Sequence, residues 1–123
     1  MKILIADDSK VSRHWAIQAL PESLKKHAQI LEANDGAQAV DSYRENSPDL
    51  VLMDITMPNK NGFEALEEIL QINNKATVVM ITADRQKITK ERVLGIGAKG
   101  ILNKPLDTEA LRELLLALIK EEA

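Results

Sequence analysis

Three stretches of this chain are apolar without interruption and without alternation: KILIA at 2–6, DLVLM at 49–53 and ATVVMIT at 76–82. A strand with one face in water alternates apolar and polar side chains, whereas a strand covered on both faces has no reason to. These runs therefore read as the centre of a parallel sheet with helices on either side. AQILEA at 28–33 and KGIL at 99–102 are weaker members of the same series.

Between the runs lie segments with helical spacing. In the first, Val11, Trp15, Ala16, Ala19 and Leu20 form a stripe expected to face the core, and Pro21 marks its end. In the second, Asp35 caps a helix carrying Ala37, Val40 and Tyr43, closed by Ser47 and Pro48. The third follows PNKNG and carries Phe63, Leu66, Ile69 and Leu70. The fourth, from about Gln86 to Leu94, has the poorest stripe, is followed by Gly95 and Gly97, and is expected to be loosely held. The last is capped by Asp107 or Thr108 and presents Leu111, Leu114, Leu115 and Leu118 to the core. Leu116 falls nearly opposite that stripe, either as a stray surface leucine or as part of a partner surface. About five strands alternating with about five helices predict a doubly wound α/β fold, in which ligands bind beyond the carboxyl ends of the strands.

Composition narrows the function. With 123 residues the chain matches one domain, and a formal net charge of -3 gives no general attraction to nucleic acid. There is no cysteine, which excludes thiol and disulfide chemistry and is compatible with a cytoplasmic setting. The apolar run near the N-terminus is too short for a signal-peptide core, and no later run reaches the length of a membrane span.

The strand ends carry the chemistry. The first run stops on Asp7 and Asp8, the third on Asp54, the fourth on Thr82 followed by Ala83, and the fifth leads into Asn103, Lys104 and Pro105. Singly, each has a bland explanation: the acid pair as a helix cap, Asp54 as a loop acid, Thr82 as a strand-end threonine, Lys104 as a surface lysine. In this order, with LVLMDITMP around Asp54, Gly62 after it and MITA around Thr82, they make the sequence resemble the receiver domain of two-component response regulators over essentially its whole length.

The resemblance implies a single receiver domain over 1–123, a five-stranded parallel sheet in the flavodoxin-like order 2-1-3-4-5, and Asp54 as phosphoacceptor from a phosphohistidine. The donor would be a sensor histidine kinase or histidine phosphotransfer protein. Mg²⁺, or Mn²⁺, would be held by Asp8, Asp54 and the backbone carbonyl of Thr56, with Asp7 acting through bound water. Lys104 would meet a phosphoryl oxygen as a point charge, alongside the Thr82 hydroxyl and the Ala83 backbone amide. Such a domain is a signalling module rather than an enzyme, since it catalyses only its own phosphotransfer and dephosphorylation. The rival readings are a degenerate receiver that serves only as an interaction module and, less favoured, an aspartyl-phosphate-forming hydrolase. In the hydrolase the two acids stand one residue apart, whereas here they are adjacent.

Two positions depart from the family. The switch pair would be Thr82 and a residue that is usually aromatic but is Ile101 here, which is too small and too stiff for an aromatic swing. Coupling is therefore expected to be weaker or to run through the fourth helix. Leu106 replaces a frequent phenylalanine, a conservative change. The resemblance also implies that Thr56 and Asp84 would flank the approach of hydrolytic water, and as polar residues they are expected to favour a short-lived phosphoform. The output surface is expected on the fourth helix, fifth strand and fifth helix, including Lys90, Lys99, Ile101 and Leu116. The output partner is unspecified, with a homodimer as one arrangement. His14 and His27, the latter in the KKH turn, read as solvated, and Trp15 as core packing.

Overall fold

The computed structural model describes residues 1–122, and side chains through Leu118; Ala123, which closes the KEEA terminus, lies outside the described residues. Five strands form one parallel sheet: β1 (Lys2–Ala6), β2 (Gln29–Ala33), β3 (Leu50–Asp54), β4 (Val78–Thr82) and β5 (Gly100–Asn103). Their order is β2-β1-β3-β4-β5, the flavodoxin-like arrangement. The unbroken runs of β1, β3 and β4 occupy the three central positions, and every residue of β3 and β4 is buried. The weaker runs became the edges, where half-buried residues predominate.

Successive side chains of each strand point to opposite faces, so one sheet serves two cores. Leu4, Val51, Met53, Val78 and Met80 pack beneath α3 (Gly36–Asn46), α4 (Gly62–Ile72) and α5 (Lys87–Ile96). Ile3, Ile5, Leu52, Val79 and Ile81 pack beneath α1 (Lys10–Ala19) and α6 (Thr108–Glu122). Local signals set the helix starts. Ser9 accepts from the Ser12 amide, Asp35 from the Gln38 amide, and Asp107 from the Ala110 amide, while Asn61 and Glu64 form a reciprocal capping box.

Four expectations need correction. There are six helices among the described residues, because α2 (Glu22–His27) follows Pro21 directly; proline is tolerated just before a first turn, where its missing N–H leaves no bond unmade. His27 is thus in the last turn of that helix rather than in a loop, and it is exposed. Gly95 lies inside α5, and Gly97, with φ of 130°, ends it. Val11 and Trp15 are not core residues: they are 66% and 64% exposed, while the buried side of α1 is made by Ala16 and Ala19. Only small side chains let α1 lie close on the sheet, so its inward stripe is narrower than the apolar count implied.

Of the remaining expectations, α5 buries only Val93, and Leu116 is 52% exposed. No helix among the described residues is long and apolar enough to cross a membrane.

Candidate functional site

Register places the acids together. Ala6 pairs with Met53 across β1 and β3, so the next residues, Asp7 and Asp54, stand side by side where the strands end. Carboxylate oxygens of Asp7, Asp8 and Asp54 lie within 4.8 Å of one another. Asp7 and Asp54 are buried and Asp8 is exposed. Lys104, delivered by the end of β5, reaches across with Nζ 2.8 Å from Asp7 Oδ2 and 3.2 Å from Asp54 Oδ2. One ammonium thus faces a cluster of three acids.

The titration of the site is set first by burial and then by these charges. Burial pushes the Asp54 carboxyl up, and the charge of Asp7 adds to the push. Lys104 and the Thr56 backbone N–H oppose it without cancelling it. For Lys104, burial disfavours the charge, but its hydrogen bond to Asp7 and the field of Asp54 outweigh that and raise its pKa. The lysine remains an ammonium at neutral pH.

Neighbouring groups fix the frame. The Asp7 side chain accepts from the Ser9 amide, yet it is Ser9 that caps α1, so the acid pair is not spent on capping. Arg13 donates to the Asp7 carbonyl at 2.7 Å and to Glu32 on β2 at 3.0 Å, bracing the end of β1 from the first helical turns. Sequence reasoning missed Arg13; its place one turn beyond the acid pair was the available signal. Gly62 is pressed against the strand that carries Asp54: a Cβ there would lie 2.4 Å from the Asp54 carbonyl oxygen.

Thr82 is buried at the end of β4, one residue beyond Ile81, which pairs with Asp54. Its hydroxyl accepts from the Asp84 amide at 3.0 Å. The Asp84 carboxylate is engaged in turn by the Gln86 amide at 2.8 Å and the Thr89 hydroxyl at 2.6 Å, and these bonds hold its pKa below the usual carboxylate range. Asp84 is therefore tied to the first turn of α5 rather than left open beside the acid cluster. Thr56 and Ala83 are exposed at the strand ends. Ile101 is half-buried against the core beneath α5, and His14 is solvated on α1.

Beside the acids, on the face of α1 and α6, opens a groove of about 410 Å³. Asp7, Asp54 and Lys104 line it together with Val11, Trp15 and Leu106. The two exposed apolar residues of α1 thus line the same cavity as the acid cluster. This feature was invisible in the linear sequence, because it joins a helix face to the segment following β5.

Known proteins share both the sequence and this architecture. The family model described as "Response regulator receiver domain" matches residues 3–116. Protein CcdB of Bacillus subtilis is 41% identical over 112 residues, spanning 91% of this chain and 92% of that protein. Chemotaxis protein CheY of the same organism is 40% identical over 114 residues, with 91% and 92% covered. Among solved structures, the CheX-CheY-BeF3-Mg²⁺ complex of Borrelia burgdorferi superposes with a TM-score of 0.88 at 30% identity, over 97% of this chain and 89% of that one.

Proposed function

The chain belongs to the response regulator receiver family, and from that premise we propose that it accepts a phosphoryl group on Asp54 in a reaction that depends on a divalent cation. The observation that carries this reading is the convergence of Asp7, Asp8 and Asp54 with Lys104 at the carboxyl edge of the sheet. The receiver unit spans residues 1–123 and acts in the cytoplasm as a signalling domain rather than as an enzyme acting on metabolites.

The donor set fits a hard cation. It offers only oxygens, and three carboxylates face a single ammonium, so the cluster has room for further positive charge. Asp8, Asp54 and the Thr56 carbonyl would hold Mg²⁺ or Mn²⁺, with Asp7 acting through water. When bound, the ion supplies positive charge for the oxygens of the transferred group. The remaining steps belong to the chain. An Asp54 Oδ attacks phosphorus in line with the leaving group of the donor, a phosphohistidine of a sensor kinase or phosphotransfer protein. Lys104 moves its hydrogen bonds from the carboxylates to a phosphoryl oxygen, and the Thr82 hydroxyl and Ala83 amide meet the others.

Switching follows from the bonds that Thr82 gives up. With Ile101 in place of an aromatic residue, movement of the Thr82 hydroxyl acts through the Asp84 amide, and Asp84 holds Gln86 and Thr89 at the start of α5. The output surface is then α5, β5 and α6, with Lys90, Lys99 and Leu116 exposed on it. Thr56 and Asp84 would tune hydrolysis, Asp84 only when its carboxylate is released from Gln86 and Thr89. Incubation with Mg²⁺ and acetyl phosphate, followed by intact mass measurement, tests the reading. Wild type should gain the mass of one phosphoryl group and Asp54→Asn none; an unmodified wild type overturns it.

A further inference from the structure

The groove beside the acid cluster has a chemically mixed lining. Asp7, Asp54 and Lys104 line it together with the apolar side chains of Val11, Trp15 and Leu106. Trp15 is 64% exposed and Val11 66%, on a helix whose buried residues are the small Ala16 and Ala19. An exposed indole lining a cavity is surface that a flat ring can cover, and ring-on-ring contact adds to the simple burial of area. The groove, at about 410 Å³, exceeds the roughly 150 Å³ that holds a benzene ring in a closed apolar cavity. Its size suits a small molecule rather than a helix of a partner protein.

We propose that this groove is a leaving-group subsite, selecting small phosphodonors whose phosphoryl group is attached to a flat apolar acyl group, such as an aromatic acyl phosphate. The inference rests on Asp54 being the phosphoacceptor. The phosphoryl group lies against Asp54 and Lys104, and the ring lies between Trp15, Val11 and Leu106. A bond forms between Asp54 Oδ and phosphorus as the bond from phosphorus to the acyl oxygen breaks. The carboxylate leaves with that electron pair and requires no proton. The ring stays in the groove throughout, so its contacts orient the donor for in-line attack.

Two measurements test this on the full chain in Mg²⁺. The first is the rate of phosphorylation by benzoyl phosphate divided by that by acetyl phosphate, followed by intact mass. This ratio should fall about tenfold in Trp15→Ala and clearly in Val11→Ser, a second exposed position where loss of fold is not a concern. The second uses the single tryptophan. Benzylphosphonate, which cannot transfer its group, should change Trp15 emission at concentrations where methylphosphonate does not. An unchanged ratio in both variants, with mass added by both donors, overturns the subsite alone, as does equal fluorescence response to the two phosphonates. Failure of both donors to add mass overturns the phosphoacceptor reading and this inference with it.

Discussion

Gly62 shows how narrowly a single residue can be constrained by the site it supports. Its amide donates to the Ile55 carbonyl at 2.7 Å, and a Cβ would meet the Asp54 carbonyl oxygen at 2.4 Å and the Ile55 Cα at 2.7 Å. Backbone atoms of a central strand cannot yield as a flexible side chain can. Gly62→Ala should therefore lower stability by about 1–3 kcal/mol, read as a shift in the urea midpoint, and should displace Asp54 within its cluster. Asp35 makes a contrasting case. Its carboxylate accepts from the Gln38 amide and from Asn59 Nδ2, each at 2.8 Å, and these bonds hold its pKa below the usual range. A carboxyl with a depressed folded pKa gives stability that is present above its unfolded pKa, near 4, and is lost as pH falls through the folded value. Asp35→Ala should cost about 1–2 kcal/mol at pH 7, and the gap to wild type should narrow in urea titrations below about pH 4. A gap that is constant with pH would contradict this.

At the scale of elements, what the sequence reveals depends on whether the deciding contacts are local. The central strands were legible because burial on both faces leaves a run of apolar residues, and the starts of α3 and α6 because Asp35 and Asp107 lie within a few residues of what they cap. The acid pair, Asp54, Thr82 and Lys104 were legible because each stands at or just beyond the end of a strand and because together, in order, they make the receiver pattern. Val11 and Trp15 were misread because the width of the stripe on α1 depends on how closely that helix lies on the sheet, a distance that periodicity does not contain. The link from Thr82 through Asp84 to Thr89 was missed for a related reason: side-chain acceptors in a loop leave no periodic trace. That link now bears on α5, which has one buried residue, no side-chain cap, and an outer attachment through Arg92 stacked 3.7 Å from the centre of the Phe63 ring on α4. Amides of α5 should exchange with solvent faster than those of α4, which buries Ala65, Leu66 and Ile69. Thr89→Val should accelerate exchange in the first turn of α5 while leaving α4 unchanged. Equal protection of the two helices in wild type would show that α5 is not the loosely held element.

For the whole molecule, the acid cluster sets function against stability. Burial raises the Asp54 carboxyl above its unfolded value, so the folded state binds that proton more tightly than the unfolded state does. Its contribution is favourable at low pH and is lost as pH rises from the unfolded pKa through the folded one, leaving a penalty at neutral pH. Lys104 is the single cation held against Asp7 and Asp54 among the described residues, and it does not remove that penalty. Without divalent ions, Asp54→Asn should therefore unfold at higher urea than wild type at pH 7, and the difference should shrink below about pH 4. Mg²⁺ should change the order. A ligand that binds only the folded state stabilises it by about 2.7 kcal/mol at a hundred times its dissociation constant, and the variant, with one carboxylate fewer, should gain less. The urea midpoints of the two proteins should thus converge or cross as Mg²⁺ is added. If wild type were already the more stable without metal, the burial of Asp54 would not carry the cost argued here, and if Mg²⁺ moved both midpoints equally, Asp54 would not be part of the proposed cation site.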